Sequence, residues 1–179
     1  MEQKLVVFNH IPSVKDVIKV RLPYGAGNKE LEFAQGDQLV AETLVLGTED
    51  EYVGELVTAD TQEPVIIFNQ NVYKDEFGNR HGYVANPSYI RYKSGEIVTC
   101  VRPSKNIKLQ LTEDTIDGTP EVGKFLVPQV ATEGTVDTYR LVVSDDMTGK
   151  GVGYKIEDVN ITIEIGTGKF VKAPRVRTM

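Results

Sequence analysis

Nowhere in this chain do ten consecutive residues keep apolar side chains at helical spacing. That absence excludes a helix bundle and an alternating α/β fold, because both need amphipathic helices of at least three turns. What recurs instead is the short run with period two, cut by Gly, Asn and Pro. Over residues 159–165, Val159, Ile161, Ile163 and Ile165 alternate with Asn160, Thr162 and Glu164, which predicts a strand with one wet face. The stretch 89–128 carries a second series. Residues 96–101 mix β-branched and small apolar side chains, Pro103 interrupts the pairing, and Ile107, Leu109 and Leu111 then alternate with Lys108 and Gln110. These two runs read as a hairpin. Thr112-Glu113-Asp114 opens a short helical turn, Asp117-Gly118-Thr119-Pro120 closes it, and residues 122–127 return as a strand.

The remaining chain follows the same grammar. Strands are predicted over residues 5–8, 17–22, 38–46, 51–58, 65–69 and 139–143, with turns at Gln35-Gly36-Asp37 and at 145–149 and a glycine-rich stretch at 23–28 that reads as a flexible arm or a loop tip. Pro64 fixes where the strand from Val65 begins. Residues 71–83 form a hairpin with its tip at 75–80, and Gly151 to Tyr154 extend the 145–149 loop. A faint echo links Phe33-Ala34-Gln35-Gly36-Asp37 to Tyr92-Lys93-Ser94-Gly95-Glu96, each an aromatic, a glycine-acid turn and then an apolar strand. The expected architecture is all-β: one domain over 1–179, a sandwich or barrel-like sheet of short hairpins with little helix. A flexible N-terminal segment 1–15 and an unpacked basic tail 170–179 flank it.

Charge and motif content narrow function by exclusion. A formal charge of −6 is wrong for a general nucleic-acid binder, whose surface must meet phosphates with clustered Lys and Arg. The charge is uneven: residues 49–63 hold six acids and no base, whereas residues 169–177 hold four bases and no acid. The single cysteine, Cys100, has no intrachain partner and reads as a small core residue, suiting a reducing compartment. No apolar window reaches membrane-span length, and no secretion signal is expected. Gly149-Lys150-Gly151-Val152-Gly153 and Gly166-Thr167-Gly168-Lys169 lack phosphate-loop spacing and read as β-turns. His10 and His81 lack further ligands at zinc spacing, and Asp75, Glu76, Asn79 and His81 read as a solvated hairpin tip. The acids Glu49, Asp50, Glu51 and Glu113, Asp114, Asp117 lack the aromatic platform of a sugar-cleaving cleft. Asn160-Ile161-Thr162 is a glycosylation triplet that falls inside a predicted strand. No nucleophile, base and orienting group share a spacing, so no catalytic, cofactor or metal residue is assigned, and an enzyme is not expected.

One order of features carries a resemblance. Tyr92 and Lys93-Ser94-Gly95-Glu96, the apolar strand, Arg102-Pro103, the alternating strand, Thr112-Glu113-Asp114 and the run from Asp117 to Leu126 together resemble capsid decoration, or head cement, proteins of tailed bacteriophages. Residues 107–129 are most similar, and the likeness covers about a quarter of the chain. The resemblance implies a structural virion protein, assembled in the host cytoplasm, that binds the major capsid protein on the outer surface of the expanded head. It also implies assembly as a monomer or homo-trimer, with neither nucleic acid nor membrane as direct partner. Lys169, Lys172, Arg175 and Arg177, with residues 2–15, are the candidate docking elements, because termini add strands to a neighbour's edge or meet its acidic surface. Two other readings stay open: a ring-forming tail-tube or head-completion component, and a carbohydrate-binding or adhesin module using Tyr83, Tyr89 and Tyr92.

Overall fold

The computed structural model describes residues 4–8, 14–43, 52–68, 73–74, 80–81, 91–130, 141–165 and 168–179. Among these residues the chain is all-β, with no α-helix and single 3-10 turns at Val14–Asp16, Ala26–Asn28 and Glu113–Thr115. The first nine strands are β1 (Val6–Phe8), β2 (Val17–Arg21), β3 (Glu32–Phe33), β4 (Gln38–Thr43), β5 (Tyr52–Glu55), β6 (Val65–Ile67), β7 (Tyr73–Lys74), β8 (Arg80–His81) and β9 (Tyr92–Lys93). The rest are β10 (Ile97–Val101), β11 (Lys108–Leu111), β12 (Ile116–Asp117), β13 (Phe125–Pro128), β14 (Leu141–Ser144), β15 (Tyr154–Asp158), β16 (Thr162–Ile165), β17 (Lys169–Lys172) and β18 (Arg175–Thr178).

Two bodies of sheet result. Five strands close a barrel in the order β10-β2-β5-β4-β6, and seven form a sheet in the order β1-β11-β18-β15-β13-β14-β12. Period-two alternation explains both. In β2, Ile18 and Val20 turn into the barrel while Lys19 and Arg21 face out; in β11, Leu109 and Leu111 enter the second core. Each such side chain taken out of water contributes about 1.5–3 kcal/mol, before the cost of ordering it. β6 belongs to both cores. Its Val65 and Ile67 face the barrel with Leu39 and Cys100, while Ile66 faces Leu109, Tyr154 and Ile156 in the second cluster. A three-residue run with no polar position is what a strand buried on both faces requires.

The joint between the bodies is reinforced by polar contacts. Lys4 Nζ meets Asp37 Oδ1 at 3.3 Å with both side chains almost fully buried, and Asp37 Oδ2 accepts the Ala34 N–H at 2.7 Å. Phe8 and Phe68 stack edge to face at 5.0 Å. At the other end, Gly151 N–H donates to the Asp60 carbonyl at 2.8 Å, and the Lys150 ammonium contacts the Asp60 carboxylate.

Several expectations need correction. β10 and β11 do not form a hairpin: β10 pairs with β2 and β6 in the barrel, and β11 pairs with β1 and β18 in the sheet. Arg102 N–H is taken by the Asp16 carbonyl at 2.7 Å, Pro103 has no N–H to donate, and Asn106 turns the chain at φ 65°, so the connector crosses between bodies. Tyr154 is not loop but the first residue of β15. The strand expected over 159–165 starts at Thr162, because Asp158 Oδ1 accepts the Asn160 N–H at 2.9 Å and bends the chain first. The C-terminal residues are not an unpacked tail. β18 lies between β11 and β15, with Val176 and Thr178 buried. The echoed segments, by contrast, find one another: β3 pairs with β9, Gly36 and Gly95 turn at φ 86° and 84°, and the strands that follow, β4 and β10, flank β6 on either side.

Candidate functional site

The four candidate cations lie on one long hairpin, residues 154–178, and divide between its halves. In the inner half β15 pairs antiparallel with β18, from Tyr154 opposite Thr178 to Asp158 opposite Arg175, with a bulge between Ile156 and Asp158. Beyond Ala173 and Pro174 the chain continues as β17 paired with β16, Thr162 opposite Lys172 and Ile163 opposite Val171. Among the described strands, β16 and β17 pair only with each other. The outer half is therefore a two-stranded ribbon running on from the seven-stranded sheet. Gly168 closes it at φ 74°, and its N–H reaches Glu164 Oε1 at 3.0 Å.

Arg175 and Arg177 serve the fold. On the sheet face turned away from the core, Glu157 accepts Arg177 Nη2, lies 3.8 Å from Arg175 Nε and 3.7 Å from Lys108 Nζ, and is itself mostly buried; Asp158 lies 3.9 Å from Arg175 Nη2. Lys108, Arg177 and Lys155 stand directly opposite one another across β11, β18 and β15. Like charges in that relation repel, so Glu157 acts as the shared counter-ion that lets the row form. Lys169 and Lys172 differ, being exposed on the ribbon on either side of Phe170, itself 63% exposed. Charge counting finds the cations but not Phe170, whose exposure becomes visible only once β17 is seen to have no second neighbour among the described strands.

The other candidates resolve as structure. The 145–149 segment is a turn: Asp146 Oδ1 accepts from Thr148 N at 2.9 Å and from its hydroxyl at 2.8 Å, which holds the Asp146 carboxyl below its usual range. The Gly151 amide is spent on Asp60, leaving it unavailable to a phosphate. Cys100 is fully buried, and desolvation pushes its thiol far above the ordinary value despite the nearby Lys19 charge, so it has no thiolate character. Glu113, Asp114 and Asp117 are exposed around the 3-10 turn and β12. No three His, Cys, Asp or Glu side chains gather as a metal site among the described residues. Of the N-terminal docking segment, residues 4–8 are fixed: Lys4 pairs with Asp37, Thr112 Oγ1 accepts the Leu5 N–H at 2.9 Å, and β1 pairs with β11. Tyr92 packs against the barrel core, while Tyr83, Tyr89, His10, Asp75, Glu76, Asn79, Glu49, Asp50 and Glu51 lie outside the described residues, as does the His81 side chain. Comparison with known families, with curated proteins and with solved structures found no match.

Proposed function

We propose that this chain is a structural protein of a tailed-phage virion that binds the outer capsid surface and stabilises the expanded head. The observation that carries the reading is the β16–β17 ribbon, which extends Phe170, Lys169 and Lys172 from a scaffold built on two buried apolar cores. An exposed phenylalanine is suited to gripping another protein, because aromatic side chains are enriched at interfaces, and the flanking lysines can meet an acidic surface. The resemblance in residues 107–129 supplies the partner, the major capsid protein. A ligand that binds only the expanded lattice stabilises that state by mass action, without chemistry of its own.

The test is to replace residues 162–172 by a two-residue turn and measure co-sedimentation with expanded heads and with procapsids. Wild-type protein should decorate expanded heads alone, and the shortened protein should lose that binding while keeping its melting temperature. Equal decoration by both proteins refutes docking through the ribbon. Deleting residues 170–179 cannot serve, because it removes Val176 and Thr178 from the second core.

A further inference from the structure

We infer that the outer edge of β17 accepts an extended acidic segment of the neighbouring shell subunit as an added strand; this rests on the decoration reading above. The argument comes from backbone directions. In an antiparallel pair, residues alternate between those that exchange hydrogen bonds with the partner strand and those whose N–H and C=O point the other way. Ala173 N–H donates to the Ile161 carbonyl at 2.9 Å, in the same register that sets Ile163 opposite Val171. Phe170, Lys172 and Pro174 therefore turn their backbone groups away from β16.

On that outer side the ladder has been started and then left. Leu111, the last residue of β11, donates its N–H to the Pro174 carbonyl at 3.2 Å. The chain then departs: Thr112 N–H goes to the Leu5 carbonyl at 3.1 Å, and Glu113–Thr115 coils as a 3-10 turn. The next two rungs, Lys172 and Phe170, have no strand opposite them among the described residues. A guest strand would continue the line that β11 abandons.

The side chains state which guest fits. Lys169 and Lys172 bracket the edge, and Arg175 lies just inward. Lysines on an edge repel a second copy of the same edge, which would set cation against cation, so the occupant is not this chain's own β17. An acidic strand meets them with opposite charge, and Phe170 offers an apolar anchor to its alternate side chains.

The experiment compares Lys172→Pro with Lys172→Gln in full-length protein on expanded heads, with amide hydrogen exchange as a second readout. Lys172→Gln removes only the charge, and affinity should fall by no more than about threefold, as for one exposed ion pair. Lys172→Pro also removes an N–H that the ribbon itself does not use, and affinity should fall by roughly a further tenfold with an unchanged melting temperature. In wild-type protein, heads should slow exchange at the Phe170 and Lys172 amides, whereas Val171, already bonded to β16, should hardly change. Wild-type and Lys172→Pro proteins that bind heads equally overturn strand addition and leave decoration standing. If wild-type protein ignores heads, the decoration reading falls. The edge is then tested with a synthetic hexapeptide of alternating Glu and Val and its Lys and Val counterpart. Protection of both amides by the acidic peptide alone upholds the edge as an acidic-strand site, and protection by neither peptide refutes it.

Discussion

Replacing Tyr154 by Phe should stabilise this protein, although Tyr154 is among the most deeply buried of its large side chains. Its ring sits in the second core with Leu109, Ile156 and Val176, and its Oη has no hydrogen-bond partner among the described residues. A buried hydroxyl without a partner costs about 1–3 kcal/mol of desolvation, and Phe keeps the ring while removing the hydroxyl. Allowing for the lost contacts of one oxygen, we expect a gain of about 1 kcal/mol, or about 2–4 °C in melting temperature for a chain of this size. The same burial sets a pH dependence. Desolvation holds the Tyr154 phenol well above its ordinary 10.0 and the Cys100 thiol well above its ordinary 9.0. In the unfolded chain both groups ionise near the ordinary values, so above them the native state binds more protons and stability falls as pH rises. Each group contributes a slope approaching about 1.4 kcal/mol per pH unit, beginning near pH 9 for the thiol and near pH 10 for the phenol. Urea unfolding of wild type and Tyr154→Phe at neutral pH and at successive alkaline pH values would measure both effects. A variant less stable by 1 kcal/mol or more at neutral pH, or one with the wild-type slope above pH 10, would refute the reasoning and imply a hydrogen-bonded hydroxyl.

Two further substitutions probe the joint between barrel and sheet. Gly151→Ala would place a Cβ 2.4 Å from the Gln62 carbonyl and 2.5 Å from that of Thr61, both backbone atoms, so we expect a loss of more than about 2 kcal/mol by thermal unfolding. Lys4→Met removes an ammonium 3.3 Å from the buried Asp37 carboxylate and should cost about 3–5 kcal/mol, whereas Lys4→Met combined with Asp37→Asn should recover part of that loss, which a double-mutant cycle in urea would read.

The strands that could be read from sequence were those whose alternation ends in unmistakable side chains. Lys108 and Gln110 against Leu109 and Leu111 announce one wet and one dry face, and the structure buries that pattern as written. β18 carries the same period in Arg175-Val176-Arg177-Thr178, yet it read as a tail, because two cations in four residues look solvated. The carboxylate that makes them tolerable, Glu157, lies on another strand, and only the fold brings it there. The pairing of β10 with β11 was misjudged for a related reason. Nearness in sequence favours a hairpin, but β10 pairs along its whole length with β2, and the Asp16 carbonyl just before β2 takes the Arg102 amide. Of the ribbon, the lysines are visible in the sequence as cations; that no described strand flanks the outer side of β17 is not, since that depends on what the neighbouring strand does next.

The hairpin of residues 154–178 can hold the core and still present a ribbon because of what sits at its middle. Up to Arg175 both of its strands are flanked, β15 by β13 and β18 by β11, so alternate residues fall into the second core while Arg175 and Arg177 meet Glu157 and Asp158. At Pro174 the ring removes an N–H on the very side where β11 would otherwise keep pairing. Leu111 takes the remaining carbonyl, and the ladder stops there for want of a donor. Beyond this point β17 has no strand on its outer side among the described residues, and such an edge with an exposed phenylalanine is a liability that a β protein can remove cheaply, by a shorter loop or a polar residue at position 170. The structure does neither. It retains Phe170 and sets a lysine on each side, a combination that discourages self-pairing.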